Sequence, residues 1–129
     1  MNPILLVESD DLLREWVCAL LGRSGYAVLP APSASAAERA AHGATAGLSL
    51  ILVDLFLPQT NGLMLLEALR QMPGLEGVPA IVLSTLGFPE IVQQAVAAGA
   101  QDFVLKPFDP QVLLAKVNGT LDHATARAS

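Results

Sequence analysis

Short runs of consecutive apolar residues alternate along this chain with longer stretches in which apolar positions recur every three or four residues. The runs cover residues 4–7, 26–29, 48–53, 80–83 and 103–105 and are rich in Val, Ile and Leu. Near-continuous apolar runs of that length predict strands covered on both faces. Between the first two, Leu12, Leu13, Trp16, Val17, Leu20 and Leu21 share one helical stripe, which Gly22 and Gly25 end. Trp16 is read there as a core residue. Ser33 is placed to cap a second, Ala-rich helix that stops near Gly43. Leu65, Leu66, Leu69 and Met72 mark a third that stops at Pro73, and Ile91, Val92, Ala95 and Val96 a fourth that ends at Gly99. In the fifth, Asp109 is the expected cap and Pro110 the first-turn residue, ahead of Leu113, Leu114, Val117 and Leu121. Strand then helix, five times over, predicts an α/β fold: a parallel sheet with helices on both faces.

Composition narrows this picture. The 129 residues suit one domain, and 53% hydrophobic content is enough for a sizeable core. The domain is expected to span residues 1–122, with the small, polar residues 123–129 as a frayed end or the start of a linker. The apolar stretches are broken well short of a membrane span, and the N-terminus lacks the pattern of a secretory signal. One cysteine, Cys18, cannot make an internal disulfide, which fits a reducing, cytoplasmic setting. Nothing near it in sequence would lower its pKa, so it reads as a small helix residue. The net charge of −5, with seven Lys and Arg spread along the chain, argues against direct nucleic-acid binding by this segment. No His or Cys metal motif occurs, and His42 and His123 fall near expected helix ends, where a cation suits the dipole.

The candidate chemistry lies where the strands end. Glu8, Asp54, Ser84 and Lys106 terminate the first, third, fourth and fifth runs. In open α/β sheets, sites form beyond the carboxyl ends of the strands, so these four should gather at one edge. Two carboxylates, a hydroxyl and a lysine suit phosphoryl chemistry. The acids can hold Mg²⁺, one of them can be the nucleophile, and the lysine can neutralise the transferring group. Each residue can also be read as the first solvated position after a buried strand. Lys106 fits that reading least, since it directly precedes Pro107, whose peptide bond is a candidate for the cis form.

Four segments, "ILLVESDDLLRE", "ILVDLFLPQTNGLMLL", "VPAIVLSTLG" and "AGAQDFVLKPFDP", occur in order and at matching separations. In these the chain resembles the receiver domain of bacterial two-component response regulators, from about Pro3 to Leu121. The resemblance implies a single doubly wound, flavodoxin-like sheet of five parallel strands in the order 2-1-3-4-5. It makes Asp54 the acceptor of a phosphoryl group from a histidine kinase or phosphotransfer protein. Ser84 matches the hydroxyl of the switch, Lys106 the lysine that pairs with the phosphoryl group, and Phe103 the aromatic switch residue. Glu8, Asp54 and the backbone carbonyl of Phe56 match the Mg²⁺ ligands. The downstream partner, or a second copy, is expected on the face of the fourth helix, fifth strand and fifth helix.

The departures from the family pattern matter as much. Receivers usually carry two adjacent acids after the first strand; the matching positions are Glu8 and Ser9. The site therefore resembles a metal site with one ligand missing, and Mg²⁺ binding is expected to be weak. Asp10 lies one residue further on, where a helix cap would point its carboxylate elsewhere. Thr85 stands where the family mostly has a small residue and narrows the expected phosphoryl entrance. Asn61 replaces the usual Asp before Gly62, a pair that still suits a turn. Phe56 is bulky enough to hinder the water that hydrolyses an acyl phosphate. Three functions remain: a phosphorylated receiver, a pseudo-receiver that binds proteins without regular phosphorylation, and a small-molecule or flavin domain. The last is weakest, because no glycine-rich loop follows the first strand.

Overall fold

The computed structural model describes the backbone of residues 2–128 and the side chains of residues 2–124. Five strands and five helices alternate. They are β1 (Ile4–Val7), α1 (Asp11–Arg23), β2 (Val28–Ala31), α2 (Ala34–Gly43), β3 (Leu50–Asp54), α3 (Gly62–Arg70), β4 (Ala80–Ser84), α4 (Pro89–Ala97), β5 (Asp102–Leu105) and α5 (Pro110–Ala128). A two-residue antiparallel ladder, Phe56–Leu57 against Thr60–Asn61, folds the β3–α3 connection. The five strands form one parallel sheet in the order β2-β1-β3-β4-β5, as the resemblance implied.

The alternation of side chains along each strand divides the core in two. Leu5, Val7, Ile51, Val53, Ala80 and Val82 point to the face covered by α2, α3 and α4, where Ala37, Leu66, Leu69 and Ala95 meet them. Ile4, Leu6, Leu50, Leu52, Ile81, Leu83 and Val104 point to the other face, against Val17 and Leu21 of α1 and Leu113, Val117 and Leu121 of α5. Both faces being covered explains why β1, β3 and β4 read as unbroken apolar runs. The edge strands β2 and β5 are only partly buried, and Pro30 lies on the exposed edge, where its missing N–H costs no ladder bond.

Several local expectations need correction. β2 begins two residues later than its apolar run. The Tyr26 N–H donates back to the Leu21 carbonyl after Gly25 turns the chain at φ +93°, so pairing starts at Val28, opposite Ile4. On α1 only Val17, Leu20 and Leu21 are fully buried; Leu12 is 79% exposed and Trp16 39%. Trp16 is therefore not a core residue: its ring leans on Phe108 at a centroid distance of 5.9 Å. The helical period marks one side of α1, but α5 covers only part of it. α3 stops at Arg70, short of Met72. There the Arg70 guanidinium donates to the carbonyls of Leu75 and Gly99, both at 3.2 Å, and of Val78, tying two loops to the helix end. α5 runs on to Ala128, which places His123 inside a helix rather than at its end; Ser129 is outside the described residues. The caps follow the sequence more closely: Ser33 accepts from the amide of Ala36 and Asp109 from that of Gln111, while Asn61, expected only in a turn, also caps α3 by accepting from Met64.

Candidate functional site

Parallel pairing brings the carboxyl ends of the strands to one edge, and two ladders reach one residue past their strands. The Glu8 N–H donates to the Ala31 carbonyl at 3.0 Å, and the Lys106 N–H donates to the Ser84 carbonyl at 2.7 Å. Glu8, Asp54 and Ser84 are buried there. The Lys106 ammonium donates to Asp54 Oδ2 at 2.7 Å and also to Glu8 Oε1, so one cation bridges two buried acids. The Lys106–Pro107 peptide bond is cis. The sequence placed these residues on four separate elements, and the fold brings them together.

The remaining carboxylate oxygens are held by backbone amides. Glu8 Oε2 accepts from the Asp10 N–H at 3.1 Å, and Asp54 Oδ1 from the Phe56 N–H at 3.0 Å. The Asp10 carboxylate itself turns away, accepting from the Leu13 N–H at 2.9 Å as the cap of α1. It does not stand in for an acid at position 9. Ser84 Oγ accepts from the Leu86 N–H at 2.9 Å, which orients the hydroxyl at the end of β4. Phe103 is half-buried against the core under α2–α4, Thr85 is exposed, and the Phe56 ring is 49% exposed.

Two supporting residues escaped the sequence reading. Arg14 reaches back from α1 to donate to the Glu8 carbonyl at 2.9 Å, while its other nitrogen pairs with Asp11 at 2.7 Å. Gly62 opens α3 against the backbone of Asp54: a Cβ there would lie 2.2 Å from the Asp54 carbonyl oxygen. Its N–H donates to Leu55 O at 2.7 Å, closing the loop that carries Phe56. Asn-Gly reads as a turn in any sequence, and nothing in a single sequence separates a turn glycine from one pressed against a site.

Burial pushes the Glu8 carboxyl above its ordinary value, and the neighbouring Asp54 adds to the rise. Lys106 and the Asp10 amide only partly offset it. Burial alone would lower Lys106, but hydrogen bonds and charge from Asp54 and Glu8 outweigh it and raise the lysine. The Glu8 shift has a consequence for stability. The folded chain keeps a proton on Glu8 at pH values where the unfolded chain has lost it. The group's contribution is thus full below the ordinary carboxylate value and is lost as pH rises through the raised one. Glu8→Gln removes that titration. Urea midpoints should fall less between pH 4 and 7 in Glu8→Gln than in the natural chain, and parallel curves would contradict the burial argument.

The donor set, two carboxylates and a backbone carbonyl, is of the oxygen kind that Mg²⁺ takes beside its retained waters. Among the described residues no group of three or more His, Cys, Asp or Glu side chains is assembled. Ser9, half-buried beside Glu8, adds no anionic oxygen.

The chain that carries this buried acid and bridging lysine matches one class of protein in sequence and in fold. Residues 4–118 match the family model for the response regulator receiver domain. The transcriptional regulatory protein ResD of Bacillus subtilis is 32% identical over 124 residues, which is 96% of this chain and 50% of that protein. Among solved structures, the chemotaxis protein CheY4 of Vibrio cholerae superposes with a TM-score of 0.87 at 28% identity, covering 93% of this chain and 98% of that one. A CheY-like receiver domain protein of Methanospirillum hungatei gives 0.89 at 26% identity, covering 98% of each chain. The chain belongs to the response regulator receiver domain family, the phosphoryl-accepting signalling domains of two-component systems. It spans about half the length of ResD. No helix among the described residues is long and apolar enough to cross a membrane.

Proposed function

We propose that this chain accepts a phosphoryl group on Asp54 from a histidine kinase or phosphotransfer protein and passes the signal to a protein partner. The observation that carries this reading is the Lys106 ammonium on Asp54 Oδ2, at the end of a buried strand and beside the Ser84 strand end. An Asp54 carboxylate oxygen attacks phosphorus in line. The P–N bond of a phosphohistidine donor breaks, its electron pair leaves with the imidazole, and Asp54 becomes an acyl phosphate. Lys106 then pairs with a phosphoryl oxygen and Ser84 Oγ donates to another, giving up its bond from Leu86. Glu8, Asp54 and the Phe56 carbonyl would hold Mg²⁺, which supplies charge neutralisation at the transferring group when bound. The chain acts as a phosphoacceptor that assists its own modification rather than as a turnover enzyme. The domain proper ends near residue 122, and the rest of α5 leads onward from it. The single thiol of Cys18 suits the cytoplasm.

Treatment with acetyl phosphate and Mg²⁺, followed by mass spectrometry, should place one label on Asp54 and none on the Asp54→Asn variant. A label on Asp10 or Asp11 would overturn the assignment. A folded chain that takes no label under any condition would favour the second reading, a pseudo-receiver, which Ser9 and the fully engaged Glu8 and Asp54 oxygens support.

For output, we place the partner surface on α4, β5 and α5. Phe88 and Val96 of the α4 region, Leu105 of β5 and Val112 of α5 are all exposed there, each at 46% or more. α4 also buries just one residue fully, Ala95, and its cap position offers no side-chain bond, so it is free to shift when Ser84 and Phe103 move inward. Beryllofluoride should shift amide resonances along these three elements; changes confined to α1 would contradict this placement.

A further inference from the structure

We propose that α4 is a lever fixed at its C-terminal end by Arg70 and Gln101 and released at its N-terminal end through the Ser84 hydroxyl. This rests on the output surface proposed above and concerns which end of it moves. Packing within the helix does not set the ends apart, since Ile91 and Ala98 are each partly buried against the same core. Hydrogen bonds do. Beyond Ala98 the chain turns at Gly99, φ +99°, and the Ala100 N–H closes the turn on the Ala95 carbonyl at 3.0 Å. The Gly99 carbonyl accepts from the Arg70 guanidinium, which also donates to the carbonyls of Leu75 and Val78. Leu75 and Val78 are buried, so Arg70 ties the end of α4 to a loop that is itself locked into the core. Gln101 then clasps the first residue of β4 in both directions. Its N–H donates to the Ala80 carbonyl at 2.8 Å, and its Oε1 accepts from the Ala80 N–H at 2.7 Å.

Arg70 is suited to this place because its partners are backbone groups. Among the described residues it forms no ion pair with a carboxylate, and the carbonyls it meets belong to two different loops. A planar fork of donors holds such carbonyls in fixed directions. The other end of α4 has nothing comparable. Residues 85–90 are all exposed, and Phe88 stands at the cap position without a side-chain bond. The loop is fastened to the strand end by the Leu86 N–H on Ser84 Oγ at 2.9 Å. That is the bond Ser84 gives up when its hydroxyl turns to a phosphoryl oxygen. Its loss frees the N-terminal end while Gly99 stays in place. Phe88 then travels further than Val96, and the surface changes by rotation about one end of the helix.

Amide hydrogen exchange, measured without any phosphoryl group, reads the two ends separately. The amides of residues 98–101 report the fixed end and those of Ile91 and Val92 the free one, since all of them are hydrogen-bonded. In Arg70→Met the exchange rate at residues 98–101, relative to that at Ile91 and Val92, should rise at least about tenfold, as expected for a lost bond from a charged donor. In Ser84→Ala the same ratio should fall by at least about threefold, because a neutral bond at the other end is lost. A general loss of stability would raise both ends together and leave the ratio unchanged. Should Arg70→Met fail to fold, Gln101→Leu alters an exposed side chain and should raise the ratio at least about threefold. An unchanged or reversed ratio in any of these variants, once folded, would overturn the proposal. None of the measurements requires Asp54 to take up phosphate, so this inference and the phosphoacceptor reading fail independently.

Discussion

Gly62→Ala should destabilise the chain by about 3 kcal/mol or more, at or beyond the upper end of what overpacking costs. The new Cβ would meet the Asp54 carbonyl oxygen at 2.2 Å, its carbonyl carbon at 3.0 Å and Val53 Cγ2 at 3.1 Å. Two of those atoms are backbone, so no side-chain rotation relieves the clash. Either α3 lifts from the sheet or the end of β3 moves, and the second would carry the Asp54 carboxylate away from Lys106. Gly119 is the control: it lies inside α5 with nothing within 4 Å of an added Cβ. There alanine should stabilise by about 0.5–1 kcal/mol through helix propensity. Urea unfolding of both variants checks the pair, and acetyl phosphate labelling of Gly62→Ala should fall well below that of the natural chain. Similar midpoints for the two would mean that the contact between Gly62 and Asp54 is looser than the structure places it.

Ser9→Asp should tighten Mg²⁺ by at least about tenfold, or about 1.4 kcal/mol, and should destabilise the metal-free chain. A divalent ion sheds water on binding, and anionic oxygens are what compensate that loss. The natural site provides two carboxylates, and Asp10 is committed to the cap of α1. Adding a third acid beside Glu8 and Asp54 raises the repulsion that Lys106 must offset without metal. Titration of Mg²⁺ against amide shifts measures the first effect, and urea unfolding in chelator measures the second. Trp16 is a usable fluorescent reporter because its half-exposed ring lies tilted against Phe108, two residues beyond Lys106. Equal Mg²⁺ affinity in the two proteins would mean that backbone groups already provide what Ser9 lacks.

The sequence by itself determined the architecture, because burial on both faces of a parallel sheet writes itself as unbroken apolar runs in β1, β3 and β4. It also marked the candidate site, since the first polar residue after a buried strand must emerge at the sheet edge, and Glu8, Asp54, Ser84 and Lys106 hold those places. Local chemistry was legible as well: Ser33 and Asp109 cap helices through hydrogen bonds that span two or three residues. What depends on distant neighbours was not. Trp16 and Leu12 carry the helical period of a core face, yet whether that face is covered depends on where α5 packs. β2 starts where Ile4 gives it a partner rather than where its apolar run begins. Gly62 looks like any turn glycine until the Asp54 backbone is found against it. The bridge from Lys106 to Glu8 joins residues 98 positions apart, and with the Asp10 and Phe56 amides it satisfies both acids. Composition and spacing name the groups that meet at a site, but only the packed backbone decides which oxygen each donor reaches.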